Sequence, residues 1–64
     1  MPNDLKLLCV QFRDVAVGQP FYDPVSAEYF IKRSEAHAAM TSGIGDGTMP
    51  DEFEADDIVG IGSN

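Results

Sequence analysis

The chain has 64 residues, 44% of them hydrophobic, and a formal net charge of −7. That length predicts one domain, residues 1–64, which buries only about 60% of its unfolded surface on folding. The composition is that of a globular chain rather than a disordered one. The negative charge argues against direct contact with nucleic acid or anionic lipid, since phosphates repel carboxylates.

Leu8, Val10 and Phe12 alternate with Leu7 and Cys9 over residues 6 to 12. The pattern predicts a strand with apolar residues on both faces, and hence burial on both sides. With a single cysteine no internal disulfide can form, which fits a reducing, cytoplasmic setting. The longest apolar run, Leu7 to Val10, is too short for a membrane span or a signal-peptide core. Gly18 marks a tight turn, and Gln19 to Asp23, with Phe21 and Tyr22, reads as a short strand. Pro20 lacks a ladder donor and places that strand at an edge or beside a bulge. Asp23-Pro24-Val25-Ser26 is a turn signal.

Residues 27 to 41 admit two local readings. As a helix, Asp23 is the N-cap, Pro24 the first helical residue and Gly43 the C-terminal stop. As a hairpin, Glu28 to Arg33 is a strand, Ser34 to His37 a turn and Ala38 to Thr41 the return strand. The run Tyr29-Phe30-Ile31 favours the hairpin by propensity. Residues 43 to 50 hold three glycines and a proline and predict a flexible connecting loop. Ile58, Val59 and Ile61 predict a closing strand.

The stretch Phe12-Arg13-Asp14-Val15-Ala16-Val17-Gly18-Gln19-Pro20-Phe21 carries a Phe-x-Asp-hydrophobic-x-x-Gly-x-x-Phe pattern. It continues in Phe30-Ile31-Lys32-Arg33-Ser34, Ala38, and Phe53 to Val59. Over roughly residues 10 to 60 this order of signals resembles a family of small, mostly uncharacterised phage and prophage proteins. The resemblance implies a mainly β fold, a small curled antiparallel sheet or Src-homology-3-like barrel, and so favours the hairpin. The alternative fold is α+β with the helix at 24 to 41. Pro20 and the glycine-rich insertion depart from the pattern. Small acidic phage proteins of this sort resemble inhibitors of host defence, including anti-CRISPR proteins and DNA mimics.

The charge is unevenly placed. Residues 1 to 33 carry four acids and four bases; residues 34 to 64 carry seven acids and no Lys or Arg. Five of the seven acids lie in Asp51-Glu52-Phe53-Glu54-Ala55-Asp56-Asp57. If that segment is extended, Glu52, Glu54 and Asp56 project from one face about 6.6 Å apart, twice the strand rise. Such a row approaches the charge density of duplex DNA and suits a groove of Arg and Lys built for phosphates. Phe53, inside the acidic strip, is either a desolvated interface anchor or a plug for the end of the barrel. The competing reading of the strip is a solvated loop that only aids solubility.

Other chemistry finds less support. The acids lack the alternating register and fixed glycine of a calcium loop. Gly43-Ile44-Gly45-Asp46-Gly47 lacks the lysine and spacing of a phosphate loop. His37 with Ser34 or Cys9 has no nucleophile-elbow or oxyanion signature around it. Cys9, in an apolar strand, reads as an inert core thiol. Arg13, Lys32 and Arg33 are too few to hold nucleic acid and are expected to pair with nearby acids instead.

The expected function is that of a phage-encoded inhibitory binding protein of anti-CRISPR type, not an enzyme, with no metal and no cofactor. It is expected to block the DNA-binding site of a basic defence complex in the host cytoplasm by DNA mimicry. Its partner-binding residues are Asp46, Asp51, Glu52, Phe53, Glu54, Asp56 and Asp57. The alternative is a small phage structural or assembly module with a solvated acidic surface.

Overall fold

The computed structural model describes residues 6–42 and 50–63. Their strands are β1 (Lys6–Gln11), β2 (Pro20–Asp23), β3 (Glu28–Lys32), β4 (His37–Met40), β5 (Pro50–Glu52) and β6 (Ile58–Ser63). A 3₁₀ turn, Phe12–Asp14, follows β1. The strands form one antiparallel sheet in the order β1-β6-β2-β3-β4-β5. The sheet is unclosed: β1 and β5 are its two edges. Among the described residues no helix is long and apolar enough to cross a membrane.

Residues 28 to 40 form the hairpin of β3 and β4, and the helical alternative is excluded. Phe30 pairs with Phe21 on one side and Met40 on the other, which buries its ring in the core. A helix would forfeit both ladders. Asp23 caps a turn instead of a helix: its carboxylate accepts from the Val25 N–H at 3.3 Å and the Ser26 hydroxyl at 2.9 Å. The turn at the other end of the hairpin closes with the Arg33 and Ser34 N–H groups donating to the His37 carbonyl.

The predicted irregularity beside Pro20 is a β-bulge. Gly18 N–H donates to the Lys32 carbonyl at 2.7 Å, and Lys32 N–H donates to the Gln19 carbonyl at 3.2 Å. Two residues thus oppose one, with Gly18 at φ +91°, a backbone that glycine adopts without strain. Because Gln19 and Lys32 are bonded, alternation turns the Pro20 nitrogen away from β3. On that side β2 meets β6 only at Tyr22, opposite Gly60, so no donor is needed from Pro20.

The core is aromatic. Phe12, Phe21, Phe30 and Phe53 are buried together with Val15, Ala38 and Val59. Phe12 stacks on Phe53 with ring centroids 4.9 Å apart. Phe21 meets both edge-on, at 5.6 and 5.4 Å. Phe12 follows one edge strand and Phe53 follows the other, so their stacking requires the sheet to curl until its two edges share a core. Aromatic pairs of this kind contribute roughly 0.5–1.5 kcal/mol beyond their area.

The outer face of the sheet departs from expectation. Burial of β1 on both sides does not occur: Leu7 and Leu8 are half exposed and Cys9 is exposed. Leu7 and Cys9 stand opposite Gly62 and Gly60, which offer no side chains to cover them. Pro50, assigned above to the glycine-rich loop, is instead the first residue of β5; the remainder of that loop lies outside the described residues.

Candidate partner-binding surface

The acidic segment begins as a strand and ends as a turn. Asp51 and Glu52 lie on β5, opposite Ala38 and His37 of β4. Phe53 then dives inward, its N–H donating to the Ala36 carbonyl at 2.7 Å. It is only 8% exposed, so it plugs the core and is not presented as a free aromatic anchor.

Glu54 to Asp57 fold back on themselves. The Asp57 N–H donates to the Glu54 carbonyl at 3.0 Å, and the Asp57 carboxylate accepts from the Glu54 N–H at 2.9 Å. The turn is anchored to the chain after β1: Phe12 N–H donates to the Asp57 carbonyl at 2.7 Å and Arg13 N–H to the Ala55 carbonyl at 3.0 Å. The single extended row of Glu52, Glu54 and Asp56 therefore does not form. A strand would leave the Glu54 N–H unbonded, whereas the turn gives it a charged acceptor. Asp51, Glu52, Glu54, Asp56 and Asp57 are all exposed. Asp46 lies outside the described residues.

What the fold builds from these acids is a groove of about 380 Å³ at one end of the sheet. Its buried floor is Phe30 and Phe53, with half-buried Met40 and the exposed Ile58 beside them. Asp51, Glu52 and Asp57 line it, and so does Asp23, the last residue of β2. The sequence pointed to Asp51, Glu52 and Asp57 but not to Asp23, which reads locally as a turn former and joins the groove only through the fold. Apolar walls under carboxylates suit a long cationic side chain: the stem packs on the rings and the charged head meets the acids.

The few cations of the chain are not all on the surface. Lys32 is 4% exposed. Its ammonium donates to the Phe12 carbonyl at 2.9 Å and lies 4.4 Å from the centroid of the Phe12 ring. It is thus spent inside the protein rather than on a surface acid.

Ser34 and His37 do come together, with Oγ and Nδ1 3.2 Å apart. The serine also accepts from the Ala36 N–H at 3.4 Å, which makes the pair part of the β3–β4 turn. Among the described residues no carboxylate bonds to the imidazole to orient it, as nucleophilic catalysis requires. Cys9 is on β1, remote from β4 in the strand order. Among the described residues no group of three or more His, Cys, Asp or Glu side chains is placed to hold a metal ion.

Compared with family models, curated proteins and solved structures, the chain finds no match.

Proposed function

We propose that this protein is an acidic inhibitory binding protein of the anti-CRISPR type, which occupies a basic DNA-binding site of a defence complex in place of DNA. The observation that carries the reading is the groove: an apolar floor of Phe30, Met40 and Phe53 beneath Asp23, Asp51, Glu52 and Asp57. A partner's phosphate-binding Arg or Lys enters that groove with its stem on the rings. Glu54 and Asp56, exposed on the adjoining turn, extend the negative surface beyond it. Phosphates are imitated here by carboxylates held around a turn, at fixed backbone positions, rather than by a straight row. With no Lys or Arg after Arg33, the second half of the chain steers toward positive surfaces, most strongly at low salt.

The test is competition. A labelled DNA duplex is bound to a purified CRISPR effector complex and its release by the protein is followed at low and at physiological salt. The expected result is displacement that weakens as salt rises and is lost in the Glu52→Lys/Glu54→Lys/Asp56→Lys variant. Equal displacement by that variant, or none by the wild-type protein against effectors of any class, overturns the proposal.

A further inference from the structure

Lys32 is 4% exposed, and a buried ammonium is ordinarily matched by a carboxylate. This one is not. Its partners are the Phe12 carbonyl at 2.9 Å and the face of the Phe12 ring, 4.4 Å from the centroid. Both are neutral, and the Val15 N–H also donates to that carbonyl. An ammonium has three N–H donors. The carbonyl takes one, and the ring face attracts another. One donor is left without a partner among the described residues, and the charge is left without a counter-charge.

Beside this ammonium is a pocket of about 270 Å³ lined by Arg13, Lys32, Glu35 and Ala55. Three turns meet there. Arg13 comes from the 3₁₀ turn after β1, Glu35 from the turn between β3 and β4, and Ala55 from the turn before β6. Backbone bonds hold these turns together: Arg13 N–H donates to the Ala55 carbonyl at 3.0 Å and Phe53 N–H to the Ala36 carbonyl at 2.7 Å. The Arg13 side chain, like that of Lys32, makes no ion pair among the described residues. Acids outnumber bases 11 to 4 in this chain, so two neighbouring cations that no carboxylate claims are not what composition predicts. Glu35 lines the same pocket and bonds to neither of them.

We propose that this pocket binds an organic monocarboxylate between the Lys32 ammonium and the Arg13 guanidinium. The planar fork of Arg13 matches the two oxygens of a carboxylate, and Lys32 gives its remaining donor from the buried side. The ligand thereby supplies the counter-charge that the fold does not. Glu35 sets the charge of the ligand. With two cations and one acid the pocket is singly positive, so a monocarboxylate neutralises it. A phosphate, close to doubly charged at neutral pH, would leave it negative in a protein already at −7. The pocket shares no residue with the acidic groove, so the two sites stand or fall separately.

Titration of the isotope-labelled protein with sodium acetate, followed by amide NMR at constant pH and ionic strength, tests this. The expected result is a saturable shift of the Arg13, Glu35 and Ala55 amides. Lys32→Met, which keeps the stem, and Arg13→Gln, at an exposed position, should each weaken binding by about tenfold or more. N-acetylglycine carries the same carboxylate on a peptide unit. Tighter binding than acetate assigns the site to a chain terminus, and equal or weaker binding assigns it to a free acid; either supports the carboxylate site. Absence of a saturable shift, a shift indifferent to both substitutions, or inorganic phosphate binding as tightly as acetate overturns the proposal.

Discussion

The Lys32 ammonium and the Phe12 residue are bound twice over, by a 2.9 Å hydrogen bond to the Phe12 carbonyl and by a 4.4 Å approach to the Phe12 ring. The carbonyl does not depend on this partner alone, because the Val15 N–H also donates to it at 3.1 Å. Removing the charge thus orphans no acceptor, and it relieves the cost of holding an ammonium out of water. Lys32→Met, which keeps the length of the stem, is expected to cost no more than about 1 kcal/mol. Lys32→Ala, which empties the space the stem fills, is expected to cost about 2–3 kcal/mol. Urea unfolding of both variants decides the matter: equal losses would mean that the charge, not the packing, holds this corner.

Phe53 is where the acidic segment meets the core, stacked on Phe12 and edge-on to Phe21 and Phe30 at 5.4 and 5.1 Å. Phe53→Ala is expected to cost about 3–5 kcal/mol. In a domain this small that approaches the whole stability, so the variant should lose its near-ultraviolet dichroism at room temperature. Phe53→Leu should stay folded. A folded, native-like Phe53→Ala protein would restore Phe53 to the role of an interface anchor.

Most of the sheet is legible in the sequence because its strands carry their own signal. Tyr29-Phe30-Ile31 and Phe21-Tyr22 favour extended backbone by residue type, and Gly18 with Pro20 announces the bulge. β5 carries no such signal. Pro50-Asp51-Glu52 is poor strand material and is extended only because the preceding strand, β4, pairs with it, an interaction that the segment's own residue types do not announce. The acids were visible as a cluster, but their arrangement was not. The Asp57 side chain closes a turn on the Glu54 N–H, and that contact breaks the alternation which residue spacing alone suggested. Asp23 is the same case reversed, a local turn former that the fold carries to the groove. The exposure of Cys9 escaped the pattern of β1 because it depends on Gly60, across the sheet.

Ala27 closes the β2–β3 turn at φ +59°, its N–H donating to the Asp23 carbonyl at 2.8 Å. A Cβ in the left-handed region costs roughly 1 kcal/mol or a little more, and glycine avoids the clash. Part of that gain is returned through the freer unfolded chain. Ala27→Gly is expected to stabilise the protein by about 0.5–1 kcal/mol, a rise of a few degrees in Tm for a domain of this size. Thermal melts measure it, and a fall in Tm would show that the turn holds alanine without strain.

Five exposed acids between Asp51 and Asp57 repel one another whether or not a partner is present, and that repulsion is a cost the free protein carries. Salt reduces it, since the screening length shrinks from about 30 Å at 0.01 M to about 10 Å at 0.1 M. The urea midpoint of the wild-type protein should therefore rise over that range of sodium chloride. Urea is the right denaturant because guanidinium would itself screen the charges. Asp51→Asn/Glu52→Gln/Asp56→Asn removes three of the five acids and leaves Asp57 to hold the turn. It should be more stable than the wild type at low salt, with a flatter response to added salt. Its binding to a basic partner should weaken in the same experiment that shows its stability rising. That opposition separates a surface kept for binding from one that merely keeps the protein soluble. If the variant is no more stable and its salt response is unchanged, the carboxylates are too well solvated to feel one another. A partner's cations would then gain little by meeting them.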